Sequence, residues 1–374
     1  MTESPHLTWD CAPVERWSST PYGLAFSPDG RRLAVGFGSW YGHGGLSLLE
    51  LSTFEATTHG FGGPPPTEDA RVAEDDDLHL QPLTVSGVAF AEDGRHLVAS
   101  AWGSKQRGGG GFLFEVASSL RLRACFALPP DPEHELRDRC PTGVCIHAGE
   151  LILRCNTHVP SAVFARHPLP ADVGRAASPS HSHQRVVSLG TEVVTGGGGR
   201  HVYLGGRRLH DAEGFVVERP LRVIPTSTRV TSILARGDEL LVGHQNGELW
   251  CWRREAEWRP ARRLRTSEPR RRPAAGGPWA TYEPESLVGL AELDARRFYS
   301  VDASGELLEW TDDHVSRRFA LPRGGSPRSL AVHPDTPLGP VVAVGVKLED
   351  RRRLGYVAIF AVDTTTTSPS TPTS

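Results

Sequence analysis

Lysine is almost missing from this 374-residue chain: Lys105 and Lys347 are the only two, Met1 is the only methionine, and Asn156 and Asn246 are the only asparagines. Arginine carries nearly all the positive charge. A GC-rich bacterial genome produces this bias through its codons, so no functional reason is needed. Net charge is small as well, −3, which excludes a global pull toward nucleic acid or an anionic membrane. No apolar run approaches the ~20 residues that span a bilayer. The N-terminal MTESPHLTWDC has no basic segment followed by an apolar one, so no signal peptide is expected and the cytoplasm is the expected compartment. The six cysteines (Cys11, Cys125, Cys140, Cys145, Cys155, Cys251) are too scattered for a secreted disulfide framework and are expected as reduced thiols. Helical periodicity is nowhere sustained. Catalytic signatures are missing too: there is no G-x-S-x-G elbow, no H-E-x-x-H, no G-x-x-x-x-G-K-[ST], and no G-x-G-x-x-G after a strand.

What is present is turn punctuation and repetition. Forty glycines and thirty prolines are dispersed between short apolar runs, as in a chain of strands and turns. Gly23-Leu-Ala-Phe-Ser-Pro-Asp-Gly-Arg-Arg-Leu-Ala-Val-Gly aligns without a gap on Gly87-Val-Ala-Phe-Ala-Glu-Asp-Gly-Arg-His-Leu-Val-Ala-Ser. Each is a strand, an Asp-Gly turn and a second strand, and Asp-Gly between apolar runs is a strong hairpin signal because glycine supplies positive φ. A glycine-rich loop and a third strand follow (Leu46 to Leu51; Phe112 to Val116). Weaker copies begin near residues 142, 184, 229, 286 and 328, at spacings of roughly 40 to 65 residues, the range of propeller blades.

Phe26 to Gly36 resembles the first hairpin of a WD40 blade, and Gly247-Glu-Leu-Trp-Cys-Trp252 is similar to that family's third strand ending in tryptophan. No copy has the family's Gly-His ahead of its first strand or Trp-Asp at the end of its third, and the prolines ahead of the first strand (Pro21, Pro141, Pro327) also resemble YVTN-type and lactonase-like propellers. The resemblance implies an all-β, seven-bladed β-propeller of four-stranded antiparallel blades, filling residues 1–362 as one domain. Its blades would begin near 21, 85, 142, 184, 229, 286 and 328. A ring of blades buries both faces of each sheet against neighbours and leaves few exposed edges. The last copy ends at Phe360 without an outer strand, so residues 6–17 are expected to supply it and close the ring. Residues 363–374, Thr/Ser/Pro after the first aspartate, are expected as a disordered tail.

Several clusters carry two readings. Cys140, Cys145 and Cys155 with His147 and His158 are the densest metal-ligand candidates, but Cys-x4-Cys is loose for a structural zinc site and core packing is preferred. Arg253 to Arg272, with nine arginines beside Trp250, Trp252 and Trp258, reads as a solvated outer strand before an acidic-partner or nucleic-acid surface. An acidic run (Glu68, Asp69, Glu74 to Asp77) reads as a solubilising loop or an interaction segment. The glycine runs at 108–111 and 196–199 open no helix and read as turns, not phosphate loops.

Loops joining second and third strands gather on one rim. They hold Trp40, Tyr41, His43, Trp102, Lys105, Arg107, His158, His244, Asp302, Lys347 and Arg351. Aromatic and basic side chains in loops on a rigid scaffold are what protein-binding hot spots use. In WD-repeat proteins this face commonly receives a peptide or a partner domain. The expectation is a monomeric, non-enzymatic scaffold that binds protein partners there, needs no cofactor or metal, and engages neither membrane nor nucleic acid. The alternative is a lactonase-like hydrolase with a metal or histidine–acid pair at the channel mouth, to which His158, His244 and Asp302 would contribute.

Overall fold

The computed structural model describes residues 7–11, 20–38, 44–61, 83–102, 109–127, 140–147, 149–156, 163–173, 186–189, 192–196, 201–204, 207–210, 216–219, 222–225, 230–236, 239–254, 258–265, 286–348 and 355–362. Every regular element among them is a strand. After β1 (Leu7–Asp10), the first blade is β2 (Thr20–Phe26), β3 (Arg32–Gly38), β4 (Gly44–Glu50) and β5 (Ala56–Gly60). The second is β6 (Thr84–Phe90), β7 (His96–Trp102), β8 (Gly109–Val116) and β9 (Leu120–Ala127). The third begins with β10 (Cys140–His147), β11 (Glu150–Asn156) and β12 (Val163–Pro168). Then come β13 (Val186–Leu189), β14 (Glu192–Gly196), β15 (His201–Leu204), β16 (Arg207–His210), β17 (Val216–Arg219) and β18 (Arg222–Pro225). The next blades are β19 (Val230–Arg236), β20 (Glu239–His244), β21 (Leu249–Arg254), β22 (Trp258–Arg265), and β23 (Leu287–Glu292), β24 (Arg297–Asp302), β25 (Glu306–Thr311), β26 (His314–Ala320). The last is β27 (Ser326–His333), β28 (Val341–Lys347) and β29 (Gly355–Ala361).

All pairings are antiparallel, and the first strands of successive sheets adjoin in a closed circuit: β2, β6, β10, β13, β19, β23, β27 and back to β2. β1 lies antiparallel on β29, with Leu7 opposite Ile359 and Asp10 opposite Tyr356, so the N-terminal strand is the outer strand of the last blade. The expectation of seven four-stranded blades needs correction. Six sheets are four-stranded blades; the sheet begun by β10 has five strands, in the order β10-β11-β12-β17-β16. The cause is a hairpin, β16–β17, which leaves the β13-β14-β15-β18 blade and pairs with β12 of the blade before it. The acidic run at 68–77 and the tail at 363–374 lie outside the described residues.

The core sits between blades, and strand alternation decides which interface each residue joins. Along β2 and β3, Leu24, Phe26, Leu33 and Val35 pack on Ala331, Val341, Ala343, Val357 and Ile359 of the last blade. The intervening Ala25 and Ala34 face the second blade, among Val88, Phe90, Phe112 and Phe114. Successive side chains of a strand point to opposite faces, and both faces are buried here, so the strands read as nearly continuous apolar runs. At ~25 cal/mol per Å2 of apolar area, each such leucine or phenylalanine contributes about 1.5–3 kcal/mol.

The two aligned hairpins close by the same physics. Gly30 and Gly94 have φ of 67° and 64°, the left-handed region that glycine enters without strain. Asp29 accepts from the Ser27 hydroxyl (2.6 Å) and the Arg31 amide (3.1 Å). Asp93 accepts from the amides of Arg95 and His96 (2.8 and 3.1 Å) and binds the His96 ring at Nδ1 (2.7 Å).

Candidate functional site

Each first strand begins on the rim where second strands end: Thr20 pairs with Gly38, Thr84 with Trp102, Leu287 with Asp302, Ser326 with Lys347. Two residues further in, six of these strands carry a register shift, between Pro21 and Gly23, Val85 and Gly87, Pro141 and Gly143, Val230 and Ser232, Leu287 and Gly289, and Pro327 and Ser329. A bulge inserts one extra residue into the strand. The inserted residues, Tyr22, Ser86, Thr142, Thr231, Val288 and Arg328, therefore share one level around the mouth of the ring. The small residue after each bulge is required by crowding: a Cβ on Gly23 would stand 3.0 Å from the Gly87 Cα, and one on Gly289 2.7 Å from the Leu330 Cβ.

Hydroxyls stitch this level from blade to blade. Ser86 donates to the Pro141 carbonyl (2.6 Å), Ser329 to the Pro21 carbonyl (3.2 Å), and Ser286 to the Gln245 carbonyl (2.9 Å). Of the inserted side chains, Ser86 is buried with its bond to the next blade and Thr231 is buried with a bond inside its own blade, to the Gly243 carbonyl (3.2 Å), whereas Tyr22 and Arg328, on adjoining first and last blades, are partly exposed. Sequence reasoning did not single out those two. The signal was present as a proline, a variable residue and a glycine or serine: Pro21-Tyr22-Gly23 and Pro327-Arg328-Ser329.

Four of the expected rim residues are described. Trp102 ends β7 and Lys347 ends β28, both partly exposed. His244 and Asp302 end the equivalent strands β20 and β24 but are each 2% exposed, so both belong to the framework of the rim and not to its contact surface. Asp302 shapes the β24–β25 turn: Oδ1 accepts from the Ser304 amide (3.1 Å), the Ser304 hydroxyl (2.6 Å) and the Glu306 amide (3.0 Å). Its Oδ2 accepts from Arg265 Nη2 (3.0 Å), which also reaches Glu306 (3.1 Å) from the outer strand of the preceding blade. A carboxylate with four donors has its acceptor capacity committed and is poorly placed to act as a base or a metal ligand. Trp40, Tyr41, His43, Lys105, Arg107, His158 and Arg351 lie outside the described residues.

Four arginines of this segment, Arg253, Arg262, Arg263 and Arg265, are ion-paired. Arg253 and Arg262 bind Glu239 (2.7 and 3.2 Å), Arg262 also binds Asp313 of the next blade (2.6 Å), and Arg263 binds Glu248 (3.2 Å). Burial alone would raise Glu239, but the bond from Arg253, one from Cys251 and the nearby guanidiniums hold it below the usual carboxylate range. Glu248 is likewise lowered: hydrogen bonds involving Trp250, Asn246 and Arg263 outweigh its burial. Trp252 is core, 3% exposed. Trp250, two residues earlier, is partly buried against the same core cluster, donates to Glu248 (3.2 Å) and carries the Arg263 guanidinium over its ring (5.7 Å). Arg270, Arg271 and Arg272 lie outside the described residues.

No three His, Cys, Asp or Glu side chains gather as metal ligands among the described residues. Cys145 is buried in β10, and burial pushes its thiol up to about 12, against a small lowering by Arg166. It is chemically inert packing.

These features define a WD40-like β-propeller: a closed circuit of antiparallel sheets, first hairpins turned on Asp-Gly, and, in β24–β25, a third-strand tryptophan bonded to a second-strand serine (Trp310 Nε1 to Ser300 Oγ, 2.9 Å). Two solved structures are similar over nearly their whole length. "Structure of U3-55K" matches with TM-score 0.59 and 13% identity, over 95% of this chain and 99% of that one. "Crystal Structure of Mitotic Checkpoint Complex" matches with TM-score 0.58 and 10% identity, over 96% and 94%. Identity this low establishes the fold alone, and 791 solved chains share it, so the fold does not choose a function. No family model matches the chain, and no curated protein matches it by sequence.

Proposed function

We propose that this chain is a non-enzymatic, cytoplasmic interaction scaffold that binds a protein partner through the rim on which the second-to-third-strand loops converge. The observation that carries the reading is the division of labour on that rim. Serine hydroxyls, His244 and Asp302 are turned inward to fix the level, while Tyr22, Trp102, Arg328 and Lys347 stay partly exposed on it. A rigid frame lowers the ordering cost of binding, and aromatic and arginine side chains supply the anchors. Trp40, Tyr41, His43, Lys105, Arg107, His158 and Arg351 complete the proposed contact set. One of the two similar structures was solved within an assembly, the mitotic checkpoint complex, which agrees with a partner-binding role. The propeller hydrolase loses support, because the Asp302 carboxylate is committed to its turn and to Arg265.

The test is affinity purification of the tagged protein from its native cells, with mass spectrometry and metal analysis of the same sample. A stoichiometric protein partner and no metal is the expected result. Bound calcium or zinc with no partner would overturn the scaffold reading.

A further inference from the structure

Because first strands adjoin around the circuit, each sheet ends outward on one strand: β1, β5, β9, β16, β18, β22 or β26. The free side of such a strand is a row of N–H and C=O groups that templates pairing with another chain, and proteins guard it with charge, proline or shortness. Six of these strands are guarded. β9, β16, β18, β22 and β26 each carry arginine, β18 and β22 a proline besides, and β1 has four residues ending in Asp10. β5, Ala56-Thr57-Thr58-His59-Gly60, has neither a formal charge nor a proline.

β5 is also open. Ala56, Thr57, Thr58 and Gly60 are exposed, and His59 is half-buried, its ring edge-on to Phe61 and Phe114 at 5.2 and 5.1 Å. Its inner side is held to β4, Leu49 with Ala56 through Gly45 with Gly60, and the Thr58 and Ser47 hydroxyls bond at 2.7 Å. The phase of this ladder decides which groups are spare. The Glu50 amide bonds the Glu55 carbonyl (2.9 Å) at one end, and the Phe61 amide bonds the Gly44 carbonyl (3.0 Å) at the other. Hydrogen-bonded pairs alternate along an antiparallel ladder. Thr57 and His59 therefore turn their main-chain groups toward β4, while Ala56, Thr58 and Gly60 turn theirs outward.

This edge is complementary to itself. About a two-fold axis through Thr58, a second β5 lies antiparallel, with Thr58 opposite Thr58 and Ala56 opposite Gly60. Each of these pairs exchanges two main-chain bonds, so every outward group is used. Threonine opposite threonine is a favourable cross-strand pair, and Glu55 falls opposite Phe61, so no like charges meet. The same operation on an arginine-bearing edge lines up arginines of both copies on one short ladder, which their repulsion opposes. We propose that β5 is a homodimer interface whose occupant is a second copy of this chain, joining two four-stranded sheets into one of eight. The monomer expected from sequence is thereby replaced by a two-fold pair of rings. The contact lies on the perimeter, apart from the rim, and does not rest on the rim's role; each dimer displays two rims.

Sedimentation equilibrium of the full chain at rising concentration is expected to show monomer passing to dimer and no larger species, because a two-fold contact closes on itself. Thr58→Lys and Thr58→Glu each set like charges together at the axis and are expected to weaken the dimer roughly ten-fold or more. Mixed, the two variants place lysine opposite glutamate, and the dimer is expected to return. A wild type that stays monomeric to about 1 mM overturns the proposal and leaves the edge to a strand of another protein. A dimer undiminished in both variants overturns it too, as does a mixture that fails to pair. Should the variants not fold, hydrogen exchange on the wild type decides. The amides of Ala56, Thr58 and Gly60 are expected to exchange about ten-fold slower in the dimer, with no change on β9; equal rates at low and high concentration overturn the proposal.

Discussion

Asp302 offers the sharpest separation of a structural role from a chemical one. Its side chain is 3% exposed and that of Arg265 20%. A hydrogen bond between charged groups at 3.0 Å contributes about 1.5–3 kcal/mol in such a setting. Arg265→Met removes it, but three donors remain on Oδ1. The cost should therefore fall below the 3–5 kcal/mol typical of an orphaned buried charge, at about 2 kcal/mol. Asp302→Asn keeps the turn acceptor yet sets an amide NH2 against the guanidinium, so about 3 kcal/mol is expected. The double variant should recover about 1.5 kcal/mol relative to additivity, since neither unmatched group persists. Urea unfolding followed by tryptophan fluorescence reads this cycle, because Trp310 stacks on Phe298 at 5.5 Å within the adjoining core. At about 2.1 cal/mol/K per residue, a loss of 2 kcal/mol lowers Tm by only about 2–3 °C, so denaturant is the better assay. If Asp302→Asn costs under about 0.5 kcal/mol, or the two changes simply add, the framework role is wrong and a chemical role for the carboxylate reopens.

The two Asp-Gly turns should respond unequally to alanine. A Cβ on Gly30 would stand 1.9 Å from the Asp335 carbonyl, whereas one on Gly94 meets only the Pro28 Cδ at 3.6 Å. Gly94→Ala should cost about 1 kcal/mol for positive φ alone and Gly30→Ala about 3 kcal/mol or more, as read by urea midpoints. Acid should destabilise the fold. Asp29, Glu239, Glu248 and Asp294 are all held below the usual range, their hydrogen bonds and neighbouring arginines outweighing burial. A lowered carboxylate contributes stability above its unfolded pKa of about 4 and loses it as pH falls through the folded value. Glu292, raised chiefly by burial, works in the opposite sense. Urea midpoints should thus fall between pH 5 and about 3; a flat profile would contradict the ion-pair geometry. Trp310→Phe should cost about 1 kcal/mol by leaving the buried Ser300 hydroxyl without its donor, and a cost near zero would mean the bond contributes nothing.

Much of the fold was legible because its signals are local. Alternation with Asp-Gly located the first two hairpins, and Leu24 with Val35 and Val88 with Ala99 are register partners in the structure. The β16–β17 excursion was not legible. Periodicity marks strands but does not name their partners, and β12 and β17 are joined by three pairs across some fifty residues of chain. The arginine run was visible, but its ion pairing was not, since Glu239, Glu248, Asp302 and Asp313 come from other strands and another blade. Of the rim, sequence fixed the level at which second strands end. Which end residues turn inward, as His244 and Asp302 do, depends on contacts from neighbouring blades that no local pattern records.

The central claim is that the rim, and not another face, receives a protein partner. It is tested most directly by capturing that partner with the wild type, with Trp40→Ala/Trp102→Ala/Arg107→Glu in the proposed contact set, and with Arg121→Glu beside the β8–β9 turn on the opposite rim, where the side chain is 81% exposed. The account predicts that the triple variant melts like the wild type and loses the partner while Arg121→Glu retains it. Capture undiminished in the triple variant, or lost in Arg121→Glu, would contradict it.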